Sequence, residues 1–167
     1  MLLMDPADTL LTLGELAVAL VGFAGVVTVF QMRQHWNEHH SQRLWNMLRL
    51  ALALLFFSLL PLAWLAADRS PWVLCSALLG LMLTIQAVIS TYSLFKRGAG
   101  VNIYFATILV IGGWTSAVVL SLNTLGIAFE RSFAGYFIGL FWLVMATTMF
   151  FTRLVYLGFV ADRKDDE

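Results

Sequence analysis

A chain of 167 residues that is 60% hydrophobic, only 12% charged and without net charge cannot hide its apolar surface in water. A soluble domain is excluded on that ground. The balance of ten basic against ten acidic residues gives no basis for binding nucleic acid or a strongly charged soluble partner.

Five apolar runs fill most of the sequence: Leu10 to Gln31, Trp45 to Ala67, Trp72 to Phe95, Ile103 to Ala128 and Phe133 to Val160. At the helical rise of ~1.5 Å per residue, each is long enough to cross a hydrocarbon core of ~30 Å. A backbone in hydrocarbon must satisfy its own hydrogen bonds. The sequence therefore predicts an all-α, polytopic membrane bundle with five transmembrane helices, in a single domain over residues 1–167. Little chain remains outside the runs, so no separate catalytic domain in water is expected.

Run one follows a stretch that carries Asp5 and Asp8 but no Lys or Arg, unlike the basic start of a cleaved signal, and is expected to be a retained helix. Ala19, Gly22, Gly25 and Val26 give it a face of small residues suited to close helix approach, within or between subunits. Glu15, five residues inside the run, shares that face. A carboxylate there is costly unless paired or protonated, which makes Glu15 the sharpest candidate for function.

The next connection contains His35-Trp36-Asn37-Glu38-His39. In an H-x-x-E-H pattern two histidines one helical turn apart bind zinc and the glutamate activates water. His35 and His39 are weak metal candidates on that ground. A third ligand could come only from His40 or the C-terminal acids, and a five-residue match in a short connection arises readily by chance. No metal or cofactor is expected. None of the three histidines lies inside a run, as haem ligation between helices requires, and neither a phosphate-cradling glycine loop nor a nucleophile elbow is present. The expectation is therefore that the protein is not an enzyme.

Asp68-Arg69-Ser70-Pro71 joins runs two and three, and Phe129-Glu130-Arg131-Ser132 joins runs four and five. Such short connections make two antiparallel hairpins. Ser70 and Ser132 suit N-caps, with Pro71 at the first helical position. The repeated turn hints at duplication, although capping chemistry alone also yields it. Pro61 should loosen or kink run two, and the lone Cys75 reads as a small packing residue.

Run three holds Gln86, with Thr84 and Ser90, as a source of interhelical hydrogen bonds or of a polar lining. Run four repeats small residues at Gly113, Ala117 and Ser121, and carries Asn123 five residues from its outer end. Asn123 and Tyr136 share the depth of Glu15. The expected polar cluster is Glu15, Asn123 and Tyr136, facing a vestibule or a subunit contact. Arg49 and Arg153 lie a turn or two inside the opposite helix ends, placed to snorkel to headgroups or, if inward, to form a basic ring for anions or lipid phosphate. Trp36, Trp45, Trp72, Tyr92, Tyr104, Tyr136 and Tyr156 suit headgroup depth, whereas Trp114 and Trp142 are deeper and read as packing residues.

The stretch Gly14-Glu15-Leu16-Ala17 through Val21-Gly22-Phe23-Ala24-Gly25-Val26, followed by a basic connection, resembles the first helix of small multi-pass bacterial membrane proteins. The resemblance covers the first quarter of the chain and implies no activity. An excess of Arg over Lys, eight to two, is compatible with a bacterial inner membrane.

Two functions remain. One is a homo-oligomeric pore or small transporter with an intramembrane carboxylate. The other is a non-transporting accessory or scaffold subunit that docks other membrane proteins through its small-residue faces. Their partners would be the lipid bilayer with further copies of the chain, or a different membrane protein.

Arg33, Arg43, Arg49, Lys96, Arg97, Arg163 and Lys164 fall on one side of a five-span arrangement, against Arg69 and Arg131 on the other. The positive-inside rule then puts the N-terminus outside and the C-terminus in the cytoplasm. A reporter active only in the cytoplasm should be active when fused after Glu167 and silent when fused before Met1; the opposite pattern would invert this topology.

Overall fold

The computed structural model describes residues 5–31, 38–65, 71–96, 103–127 and 131–164, with side chains for all of these except 29–31, 38–43, 93 and 157–164. They form five α-helices: α1 (Pro6–Gln31), α2 (Glu38–Leu65), α3 (Trp72–Lys96), α4 (Ile103–Leu125) and α5 (Phe133–Lys164). Each contains a segment long and apolar enough to cross a membrane: Pro6–Thr28, Leu44–Leu65, Trp72–Lys96, Ile103–Leu125 and Phe133–Tyr156.

Helix ends follow capping chemistry rather than hydropathy. α1 begins four residues before its apolar run because Asp5 caps it: the Asp5 carboxylate accepts from the Ala7 N–H at 3.0 Å and the Asp5 carbonyl from the Thr9 N–H at 3.1 Å. Pro6, which has no N–H to orphan, occupies the first helical position. α3 starts at Trp72, with the Pro71 carbonyl accepting from the Cys75 N–H at 3.0 Å, so Pro71 precedes the helix. Ser70 lies outside the described residues. α4 stops three residues short of its apolar run. Gly126, at φ 76°, donates to the Asn123 carbonyl while Ile127 donates to that of Leu122, the paired bonds of a Schellman cap. α2 runs on through Pro61 to Leu65.

The chain divides into two compact units. One comprises residues 1–59 and 143–167, hence α1, α2 up to Leu59 and α5 from Leu143. Its core draws on Leu10, Ala17 and Ala24 of α1, Met47, Leu50, Ala51 and Leu54 of α2, and Leu154 of α5. Ala24, Met47 and Leu154 form one packed cluster, flanked by Leu20, Leu44 and Phe150. Gly14 lies against Leu55 and Leu59, and Ala24 clusters with Met47, so α1 and α2 run antiparallel.

The other unit comprises Leu60–Trp142. Ser76, Leu79, Leu83 and Ala87 of α3 recur every three or four residues on a buried stripe, as do Gly113, Ser116, Ala117, Leu120 and Asn123 of α4. Gly80 meets Leu120 and Gly113 meets Ala87, which makes α3 and α4 antiparallel. Gly135 meets Asn123 and Gly139 meets Leu120, so α4 and α5 are antiparallel too, as their short connection requires.

Packing within the chain uses only part of the two small-residue faces. The face of α1 that packs within the chain is Leu10, Gly14, Ala17 and Ala24, not the face bearing Ala19, Gly22 and Gly25: those three are exposed, and a Cβ at Gly22 or Gly25 would meet nothing within 4 Å. Gly113 and Ala117 do pack, but Ser121 is exposed and returns its hydroxyl to the Ala117 carbonyl at 2.8 Å. Helical geometry explains both, since a neighbour covers only part of a helix circumference.

At Gly135, in the second unit, a Cβ would overlap the Asn123 side chain. Gly135→Ala should lower stability by roughly 2 kcal/mol, the usual cost of overpacking a closed site. Thermal unfolding in detergent checks this, with Gly22→Ala, which meets open space, as the neutral control.

Candidate functional site

Of the three residues expected in one polar cluster, Glu15 belongs to the first unit, and Asn123 and Tyr136 to the second. Each has its own surroundings.

Asn123 is fully buried, and its amide is spent on structure. Its Nδ2 donates to Ser76 Oγ of α3 at 2.8 Å and to the Ser132 carbonyl at 3.1 Å, while its Oδ1 accepts from the Ser132 N–H at 3.1 Å. One side chain thereby ties α4 to α3 and to the start of α5. Ser132 does immediately precede α5, where an N-cap belongs, with its backbone held by that amide. Arg131, beside it, takes a φ of 58°, which lets the connection reverse.

Tyr136 was expected at headgroup depth, yet it is fully buried. Its ring centroid lies 6.1 Å from that of Trp72, which stacks at 5.1 Å on Phe133. The aromatic body is packed among rings rather than presented at an interface. Trp45, Tyr92, Tyr104 and Tyr156 are, by contrast, strongly exposed near helix ends, as interfacial rings are. Trp142 packs across Gly112, where a Cβ would collide with its ring, whereas Trp114 is exposed and donates Nε1–H to Thr91 Oγ1 at 3.2 Å.

The remaining hydroxyls mostly turn back on their own helices. Ser58, Thr84, Thr91, Thr124 and Thr147 each donate to the carbonyl four residues earlier at 2.7–2.8 Å. Thr84 therefore does not bridge helices. Gln86 is half-buried and makes no hydrogen bond among the described residues. Every buried side-chain nitrogen and oxygen among them has a partner.

Glu15 breaks this pattern. It is exposed on α1 and has no hydrogen bond or ion pair among the described residues. It lies nine residues from the start of the apolar segment Pro6–Thr28, roughly 14 Å along the helix axis. Ala19, Gly22 and Gly25 lie beside it on the same uncovered face.

Glu15 also edges a groove of about 410 Å³ between α1 and α2. Leu11, Gly14, Val18 and Ala19 line it from α1, Leu55 and Leu59 from α2, and all but Glu15 are apolar. Sequence reading missed the groove, because Gly14 and Leu55 are ordinary residues until the two helices are set side by side. At Gly14 a Cβ would sit 3.7 Å from Leu55 Cδ1, in ordinary contact, so α1 and α2 lie close there without requiring glycine.

Arg49 is exposed on α2 and Arg153 half-buried on α5, both in the first unit. His35 lies outside the described residues, and His39 is within α2 with its side chain outside them, so the H-x-x-E-H pattern has no described geometry.

No family model, curated protein or solved structure is similar enough to this chain to be matched to it. Five helices of spanning length and apolar composition make the chain an integral membrane protein.

The three bonds of Asn123 assign it to the fold. Asn123→Ala leaves the Ser132 N–H and the Ser76 hydroxyl without that partner and should cost roughly 2 kcal/mol. The expected result is a lower unfolding temperature with no change in any Glu15-dependent flux; a flux defect at unchanged stability would return Asn123 to the pathway.

Proposed function

We propose that this protein is a homo-oligomeric pore or small transporter of a bacterial inner membrane, in which α1 contributes Glu15 to the pathway. One observation carries the reading: Glu15 lies within the apolar segment Pro6–Thr28, exposed and without a hydrogen bond or ion pair among the described residues, beside Ala19, Gly22 and Gly25 on an exposed face of α1. An ionisable side chain at the centre of a bilayer costs about 3 kcal/mol on insertion scales, so such groups face protein or water rather than lipid. Association through Ala19, Gly22 and Gly25 removes the carboxylate from lipid and brings helices close at the same stroke. In the orientation given by the basic connections, Glu15 faces the outer half of the membrane.

The same open face also suits docking onto a different membrane protein, which is the accessory-subunit reading. The two differ in copy number and in flux. Native mass spectrometry of the protein in lipid should show a defined oligomer, and reconstituted vesicles should pass cations. Glu15→Gln is expected to cut that flux about tenfold, the effect of 1.4 kcal/mol on a barrier, with the oligomer intact. Gly22→Leu, at a position where a Cβ meets nothing within 4 Å among the described residues, should dissociate the oligomer. A monomer without flux would discard the pore and favour the accessory role.

A further inference from the structure

Among the described residues, three basic side chains lie inside the apolar, span-length segments: Arg49 in Leu44–Leu65, Lys96 at the end of Trp72–Lys96 and Arg153 in Phe133–Tyr156. Their charges are met differently. Lys96 holds its Nζ 5.8 Å from the ring centroid of Tyr92, and Arg153, half-buried on α5, has a contact of its own within the chain. Arg49 is exposed on α2 and has no hydrogen bond or ion pair among the described residues. The acids of the first unit with described side chains, Asp5, Asp8 and Glu15, stand at the far end: α1 runs antiparallel to α2, so that Gly14 lies by Leu55 while Ala24 lies by Met47. A cation inside a span therefore lacks a counter-charge from its own chain, and such a charge is expensive in hydrocarbon unless something else meets it.

Arg49 lies five residues from the start of its segment, roughly 7.5 Å along the helix axis, from where its long side chain reaches headgroup depth. Spacings of four, three and four put Trp45, Arg49, Leu52 and Phe56 on one face of α2, and Trp45, Leu52 and Phe56 are each more than half exposed. From the helix start inward that face presents an interfacial ring, a cation and then hydrocarbon. We infer that it binds an anionic phospholipid, with the phosphate on the two-pronged Arg49 guanidinium and an acyl chain along Leu52 and Phe56. A free phosphate would meet the charge and leave the apolar part of the face uncovered. A zwitterionic lipid brings its own cation to its phosphate, so the net negative headgroup is the better complement. The inference concerns the lipid that surrounds the protein and stands independently of the pore reading.

The test titrates the full chain in detergent with phosphatidylglycerol or with phosphatidylcholine of identical acyl chains and counts bound lipids by native mass spectrometry. Phosphatidylglycerol should bind about fivefold more tightly, the contribution of one basic side chain near an anionic surface. Arg49→Gln should bring that preference to within about twofold of none, at an unchanged unfolding temperature in phosphatidylcholine, whereas Lys96→Gln should keep it. Arg49→Lys, which retains the charge but not the fork, should fall between wild type and Arg49→Gln. Excess glycerol phosphate should not displace the lipid, because it has no acyl chain to seat. Equal binding of the two lipids, a preference indifferent to Arg49→Gln, or an equal loss from Lys96→Gln would overturn the site and leave only diffuse attraction of basic residues for headgroups. Displacement by glycerol phosphate would reassign Arg49 to a free anion and remove Leu52 and Phe56 from the site. Dissociation of an oligomer by Arg49→Gln would put the residue in a subunit contact and equally refute the proposal.

Discussion

Hydrocarbon offers no hydrogen bonds, and that single constraint explains where the buried polar atoms of the described residues go. Backbone groups are consumed in five helices. Threonine and serine hydroxyls donate to carbonyls one turn back, as at Ser58, Thr84 and Thr147, which keeps them in an apolar setting without a second helix. Asn123 has too many donors and acceptors for that solution, so it is placed where α3 and the start of α5 both supply partners. Helix packing in the second unit then follows: Gly135 must be glycine because the amide occupies the space beside it.

Glu15 is conspicuous because it does not obey the same rule within its own chain. A soluble protein can hold an exposed glutamate at no cost. In a span the same exposure is expensive, and it persists only where something outside the chain compensates it.

The five spans and the hairpin joining α4 to α5 were legible because each depends on composition over a window or on the length of a connection. The caps at Asp5 and Gly126 were equally local, although hydropathy alone placed those helix ends a few residues away. The roles of Asn123 and Tyr136 were not legible. Depth along a helix was readable for both, but angle about it and the identity of the facing residue were not, and these turn a polar residue into a buried tie and a tyrosine into a packed ring.

The sequence by itself determined that this chain lives in a membrane as helices, and that one carboxylate sits among its apolar residues. Those facts follow from transfer energies, which act residue by residue. Tertiary structure alone decided which face of α1 is covered, that Asn123 is spent on Ser76 and Ser132, and that an apolar groove lies between α1 and α2. Packing is a property of pairs of surfaces, and a linear pattern of small residues fits several partners until real neighbours exclude all but one.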